Sequence, residues 1–286
     1  MTARFCIILN PAAKGERARK LVDRLQTMLP ECELQLTRSP GHAQVLAKQA
    51  VEDGFEVVVA AGGDGTLNEV VNGIAGADVA LGLLPVGTIN VFALELGFPT
   101  DLERAIRILR KGKIKKLDLA YANDRFFIQL AGVGLDAQIV AKTDLRLKKS
   151  WGPLSYVFTA GQIIGKQPPV LEIETAEGKQ MEGSFVLIGN GRYYGGRFTF
   201  FPTANMQDGL LDVCVFQKVS YIDLFRYLHG IATNSHTTLP DVHYFKTESL
   251  RVTCAEFVPM EVDGELHGGS PALIGVERKA LNVIVP

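Results

Sequence analysis

Gly62-Gly63-Asp64-Gly65-Thr66 is the stretch of this sequence whose residue types can do chemistry at close quarters. Glycines at 62, 63 and 65 can take positive φ and let a ligand approach the backbone. A helix beginning at Thr66 and Leu67 would aim free N–H groups at that ligand, which makes the segment a phosphate cradle. A bare carboxylate inside such a cradle repels phosphate, so Asp64 requires its own explanation. The repulsion turns into attraction if Asp64 holds Mg²⁺, or if it hydrogen-bonds the hydroxyl that attacks a γ-phosphate. A strand-to-helix turn with Asp64 as an N-cap is the plainer alternative.

The cradle needs a strand before it and a helix after it. Val57 to Ala61 is an unbroken apolar run, as expected of a strand buried on both faces, and Leu67, Val70, Val71 and Ile74 follow at helical spacing. Phe5 to Leu9 reads as a first strand, ended by Asn10-Pro11-Ala12-Ala13-Lys14-Gly15 and followed by a helix carrying Leu21, Val22, Leu25 and Met28. Cys32, Leu34 and Leu36 alternate as a second strand, which stops at Thr37-Arg38-Ser39-Pro40-Gly41 before a helix through Leu46, Ala47 and Ala50. Val79 to Leu84 runs into Pro85-Val86-Gly87-Thr88-Ile89-Asn90. Alternating strands and helices imply a parallel sheet, in which ligands collect at the carboxyl edge. Asn10, Thr37, Asp64 and Thr88 would therefore converge on one ligand. No Walker A sequence with its Lys-Ser/Thr ending occurs.

From Ile114 onward the pattern becomes strands with short turns: Phe126 to Ala131, Val170 to Thr175, Phe185 to Asn190, Leu211 to Phe216, Leu250 to Cys254 and Val258 to Val262. Helices fit at Asp136 to Lys142, Leu154 to Ile164 and Tyr221 to His229. The expected fold is an α/β domain over residues 1–117, which a terminal strand at 281–286 could rejoin, and a largely antiparallel β domain over 118–280. Gly132-Val133-Gly134-Leu135-Asp136-Ala137 fits a dinucleotide fingerprint, but Val157 and Phe158 stand where a ribose-binding acid belongs, and no βαβ unit surrounds it.

The length of 286 residues and 47% hydrophobic content suit two domains with cores, and a net charge of −1 gives no global field toward nucleic acid, which is not an expected partner. Four cysteines in apolar runs read as buried free thiols and point to the reducing cytoplasm. The apolar run Phe5 to Leu9 is too short for a signal-peptide core, and no run of about 18 apolar residues could span a bilayer.

Asn10-Pro11 with Gly15, the Gly62-Gly63-Asp64-Gly65-Thr66 loop with Asn68-Glu69, and Gly87-Thr88-Ile89-Asn90 together resemble the nucleotide-binding domain of the diacylglycerol kinase and sphingosine kinase superfamily. Further blocks agree in order: Ala131 to Ala137, Gly189-Asn190-Gly191 with Tyr194-Gly195-Gly196, Asp208 to Asp212, and Val262-Asp263-Gly264-Glu265. Their spacing is most similar to that of the soluble bacterial lipid kinases. The resemblance implies an α/β nucleotide domain and a β-sandwich lipid domain, with ATP in the cleft between them and its γ-phosphate passing to the hydroxyl of a lipid such as diacylglycerol or a sphingoid lipid.

By motif position, Asn10, Thr37, Gly62, Gly63, Asp64, Gly65, Thr66, Leu67, Asn68 and Thr88 would bind ATP. Asp64 and Asp136 would lie by the catalytic Mg²⁺, and Glu265 would be the general base. A second, structural Mg²⁺ would sit on the turn from Asn205 to Leu210, held by the Asp208 carboxylate and the carbonyls of Asn205 and Leu210. Val91 departs from the commonest bacterial pattern, which has an Asp there. NAD kinases share the Gly-Gly-Asp-Gly-Thr loop but lack the Asn-Pro entry and the Val-Asp-Gly-Glu signature. A non-catalytic nucleotide-binding regulator is the other alternative. The lipid acceptor implies presentation at a membrane surface, and Lys142, Arg146, Lys148 and Lys149 before Trp151 suit peripheral docking on anionic lipid.

Overall fold

The computed structural model describes residues 4–11, 18–142 and 168–286. The turn from Ala12 through Gly15, the basic stretch from Arg146 to Trp151 with the Lys142 side chain, and the expected helix Leu154 to Ile164 lie outside the described residues. The chain divides into two compact units, Met1–Leu119 with Arg278–Pro286, and Ala120–Glu277.

The first unit is a parallel sheet with helices between its strands. Strands β1 (Phe5–Leu9), β2 (Glu33–Leu36), β3 (Val57–Gly62) and β4 (Ala80–Pro85) run in the order β2-β1-β3-β4. The end of β18 (Ala272–Val285) adds a further parallel strand, pairing Asn282 with Ala80 and Val283 with Leu81. All six residues of β3 are buried, as the unbroken apolar run demands of a strand covered on both faces. Helices α1 (Ala18–Met28), α2 (His42–Glu52), α3 (Asp64–Ile74), α4 (Val91–Glu95) and α5 (Leu102–Lys111) link these strands. Asp101 starts α5 by accepting the Arg104 N–H at 2.9 Å.

Two details of the central turn differ from the sequence reading. Helix α3 begins at Asp64 rather than Thr66, and its N-cap is Gly63 with no side-chain cap, so Asp64 is inside the first turn and is not the cap. None of Gly62, Gly63 and Gly65 takes positive φ. Glycine is needed at 62 for closeness instead: a Cβ there would lie 2.5 Å from the Thr66 side chain. Across the sheet edge, a Cβ on Gly87 would lie 2.4 Å from the Gly63 Cα, so the loops after β3 and β4 pack backbone to backbone.

The second unit is a β-sandwich. One sheet runs β14-β13-β10-β7-β16-β17, from β14 (Val242–Thr247), β13 (Leu211–Phe216), β10 (Phe185–Gly189), β7 (Leu130–Val133), β16 (Pro259–Val262) and β17 (Glu265–Gly269). The other holds β15 (Ser249–Thr253), β8 (Leu171–Thr175), β9 (Gln180–Gly183) and the first part of β18, all antiparallel. Between them lies an apolar core with Val133, Val186, Val213, Val252, Met260 and Ile274. A second core on the other face of the six-stranded sheet joins Leu135 and Ile139 of α6 (Leu135–Lys142) to Phe200, Phe216 and Tyr227, the last from α7 (Tyr221–Ala232).

The stretch Phe126 to Ala131, expected as one strand, is split into β6 (Arg125–Phe127), which pairs with β5 (Lys113–Ala122), and β7. The break is held by Asp263, whose carboxylate accepts the N–H groups of Ile128, Gln129 and Leu130 at 2.8, 2.9 and 3.1 Å. The four cysteines are free thiols, and burial pushes those of Cys6 and Cys32 up to about 12 and about 11.

Candidate active site

In the first unit, every loop singled out in the sequence follows the carboxyl end of a parallel strand. Asn10 follows β1 and ties it to the neighbouring turn: its N–H reaches the Ala61 carbonyl at 3.0 Å, and its side-chain amide donates to Thr66 Oγ1 at 3.1 Å. Thr37 follows β2 and donates its N–H to the Leu9 carbonyl at 2.9 Å. After β4, Gly87 donates its N–H to the Gly62 carbonyl at 3.1 Å, and Asn90 closes the turn with its side chain on both the N–H and the carbonyl of Gly87. Asn90 also carries φ of 56°, a left-handed conformation that asparagine tolerates better than most side chains. Thr88 is exposed on this turn.

These contacts bring Asn10, Thr66, Gly62, Gly63 and Gly87 into one edge, with a small cleft lined by Gly62, Gly63, Asp64, Pro85, Asn90 and Ala93. The first ladder bond of α3 is Leu67 N–H to Gly63 carbonyl at 3.0 Å, so the amides of Gly65 and Thr66 are not consumed by the helix. Together with the helix dipole they favour an anion at this end. Asp64 is half-buried beside them, and Leu67 and Asn68 are buried in the following turn. Asn68 accepts the Asn72 side-chain amide on both its carbonyl and its Oδ1.

Glu69, one residue on, has a role the sequence reading missed. Its carboxylate accepts the N–H groups of Gly41 and Ala43 at 2.8 and 2.9 Å, which caps the start of α2, where no residue of that helix's own N-cap does so. The signal was available only as an acid at a fixed offset from the cradle, with nothing in the sequence naming its partner.

In the second unit, Asp136 is the second residue of α6, the helix after β7, and is half-buried. Gly132 makes room for it, since a Cβ there would lie 2.7 Å from Asp136 Oδ2. The Tyr194 hydroxyl donates to Asp136, 3.0 Å from each carboxylate oxygen. Glu261 of β16, opposite Gly132 in the strand register, is fully buried against the same carboxyl. Burial pushes both acids up, and for Glu261 the field of Asp136 adds to it, carrying it well above the ordinary carboxylate range. Glu261 Oε2 also accepts the Gly264 N–H at 2.6 Å, which fixes the turn that presents Glu265.

Glu265, at the start of β17, is exposed and pairs with Arg125 across 2.8 Å. Of the expected metal turn, the Asn205 carbonyl accepts the N–H groups of Gln207 and Asp208 at 2.7 and 3.2 Å. The Asp208 carboxylate receives the Leu210 N–H at 3.1 Å on one oxygen and Lys246 Nζ at 2.7 Å on the other.

An amide cradle with an acid in its first turn, in a parallel α/β unit followed along the chain by a β-sandwich, suits a phosphotransferase that works on a nucleotide. The sequence comparisons make the class specific. The family model described as the diacylglycerol kinase catalytic domain matches residues 4–122, and that of the YegS C-terminal NAD kinase beta sandwich-like domain matches residues 130–285. A diacylglycerol kinase of Staphylococcus carnosus is 30% identical over 294 residues, covering 100% of this chain and 96% of that protein. One from Staphylococcus aureus strain MRSA252 is 32% identical over 296 residues, covering 100% and 93%. The crystal structure of a diacylglycerol kinase from Bacillus anthracis shares the fold with a TM-score of 0.82 at 24% identity, covering 99% of this chain and 97% of that one. The chain belongs to the diacylglycerol kinase family, and it is an ATP-dependent lipid kinase. That assignment replaces the NAD kinase alternative. Among the described residues no helix is long and apolar enough to cross a membrane.

Proposed function

We propose that this protein transfers the γ-phosphate of ATP to the hydroxyl of diacylglycerol, with Mg²⁺ as cofactor. The observation that carries the reading is the half-buried Asp64 in the first turn of α3, surrounded by backbone amides at the carboxyl edge of the sheet. Amides alone would suit any anion, whereas an acid among them suits an anion that arrives with its cation. Among the described residues no three acids or other ligands converge as a complete metal shell. A nucleotide-borne Mg²⁺ fits this donor set, because it takes one or two carboxylates and draws its remaining ligands from phosphates and water. Asp64 is the carboxylate of this unit that we assign to it, and Asp136 is a further candidate by motif position alone. Bound there, the ion would neutralise charge on the transferring phosphoryl group.

The remaining steps fall to the protein's own groups. The amides of the Gly65-Thr66 turn bind phosphate oxygens, while Asn10, Thr37, Leu67, Asn68 and Thr88 shape the nucleotide's seat. Glu265 accepts the proton of the lipid hydroxyl as that oxygen bonds phosphorus, and Arg125 steadies its carboxylate meanwhile.

The acceptor must be met at a membrane surface, and α7 offers a face for it. Tyr221, Ile222, Phe225 and Leu228 are 62, 73, 73 and 37% exposed along one stripe of that helix. The neighbouring acid Asp223 is occupied by Ser220 and Arg226, and Lys218 stands exposed before the helix, so the surroundings favour anionic lipid. The opposite side of α7 packs through Tyr227 into the same core as Leu135, the neighbour of Asp136.

The deciding experiment supplies γ-labelled ATP and Mg²⁺ with vesicles containing diacylglycerol, sphingosine or ceramide, each in turn. Labelled phosphatidic acid from the diacylglycerol vesicles is the expected product. Label in sphingosine phosphate or ceramide phosphate alone would replace the acceptor, and label in no lipid would overturn the reading.

A further inference from the structure

The turn from Asn205 to Leu210 is where the family resemblance places a structural Mg²⁺, and the side chains found there do not fit one. Both oxygens of Asp208 are engaged, Oδ1 by the Leu210 N–H and Oδ2 by Lys246 Nζ at 2.7 Å. The Asn205 carbonyl accepts two backbone N–H groups of its own turn. A divalent ion on Asp208 would therefore stand within a few ångströms of an ammonium, and two cations so close repel strongly in a partly buried site.

Lys246 itself does what a metal would do. Its Nζ donates to the Thr203 carbonyl at 2.7 Å and to Asp208, and lies 3.3 Å from Asp212 Oδ2. Strand register puts it there, because β14 pairs Lys246 directly with Asp212 of β13. Asp212 is fully buried, and its other oxygen receives the hydroxyls of Thr203 and Tyr244. One cation thus joins Thr203, just before the turn, and Asp208 within it to the strand that follows. The ammonium donates a hydrogen bond to Asp208 and sits in the field of both Asp208 and Asp212, which favours its charged form.

We infer that the Lys246 ammonium is the permanent cation of this turn, taking the place of a structural divalent metal. The second unit then needs no metal here to hold the segment from Thr203 to Asp212 in place.

Thermal unfolding of the full chain, without nucleotide, in EDTA and in millimolar MgCl2 tests this. The unaltered protein should melt at the same temperature in both. Lys246→Met should melt lower in EDTA by about 5 °C, and MgCl2 should recover part of that loss. The recovery should vanish in Lys246→Met with Asp208→Asn. A rise in melting temperature on adding MgCl2 to the unaltered protein, abolished by Asp208→Asn, would show a metal bound beside Lys246 and overturn the inference. So would a Lys246→Met protein that melts like the parent. Should Lys246→Met fail to fold, the EDTA and MgCl2 comparison on the parent and on Asp208→Asn still decides.

Discussion

The carboxyl groups of Asp136 and Glu261 lie against one another inside the second unit. Burial opposes charge on both, and the field of Asp136 adds to it at Glu261. Glu261 Oε1 is buried with no hydrogen-bond partner among the described residues. Glu261 is therefore the acid of the pair pushed further toward its neutral form, beside an Asp136 carboxylate that accepts from Tyr194.

The upward shift of Glu261 has a pH signature. An unfolded glutamate loses its proton near 4.5, whereas Glu261 keeps it in the fold well above that value. Between those limits the folded state binds one more proton than the unfolded state. Its contribution to stability is thus complete below about pH 4.5 and falls as pH rises, by up to ~1.4 kcal/mol per pH unit. Glu261→Gln keeps a hydrogen-bonding side chain without the titration. The stability difference between parent and variant, followed by denaturant melts from pH 5 to 8, should move steadily in the variant's favour. A difference constant across that range would mean Glu261 is ionised in the fold.

Asp64 is where charge should matter more than shape. Asp64→Asn leaves the Gly63 cap and the backbone amides of α3 untouched, so the fold should hold with only a small change in melting temperature. Turnover should fall by a factor on the order of 10²–10³ or more, since one electrostatic partner of the transferring group is lost. Initial rates at saturating Mg²⁺ and lipid measure it. Turnover within a few-fold of the parent would remove Asp64 from catalysis.

The strand, glycine turn and helix around Asp64 were legible because their signals are local. A run of apolar β-branched residues, a cluster of glycines and helical spacing from Leu67 all lie within twenty residues of one another, roughly the length of a βα unit. What glycine does there was not legible, because the close approach of Gly87 to Gly63 joins two strands' loops. Glu261 escaped for a different reason. Met260 and Val262 face the sandwich core, so alternation assigns the residue between them to solvent, and only the tertiary placement of Asp136 against the outer face of β16 makes that position buried. The Lys246 contacts depend on a register between β13 and β14, and β14 itself was hidden by half-buried polar residues in Val242–Thr247. Asp263 looked like ordinary hairpin chemistry; its partners lie more than a hundred residues earlier.

The stripe on α7 separates binding from chemistry. Ile222→Ser with Phe225→Ser removes two large, mostly exposed apolar side chains, so neither change opens a core cavity. If those side chains enter lipid, each would contribute about 1.5–3 kcal/mol of transfer free energy when fully buried. Affinity for anionic vesicles should then fall roughly tenfold or more, while ATP binding is unchanged. Vesicle sedimentation across a salt series reads this directly. Equal sedimentation of parent and double variant would clear α7 of the role.

Glu265 tests the lipid side of the reaction. It follows a turn held by two independent contacts, the Glu261 bond to the Gly264 N–H and the Asp263 bonds to the 128–130 amides, so its backbone position does not depend on its own side chain. Its carboxylate is half-exposed and its one resolved ion pair is with Arg125, a pairing worth at most about 1 kcal/mol to stability at such exposure. Glu265→Gln should therefore melt close to the parent. A lipid hydroxyl holds its proton tightly at neutral pH, and losing a positioned base should lower turnover by roughly 10²–10⁴. ATP affinity should be unaffected, because the amide leaves the cradle around Gly62 and Asp64 as it was. Arg125→Met, which keeps the base but releases its carboxylate to rotate, should lower turnover by about tenfold, less than Glu265→Gln does. Turnover and nucleotide affinity measured on both variants check the assignment. If Arg125→Met proved as damaging as Glu265→Gln, the essential group would be the arginine, and the glutamate would be only its anchor.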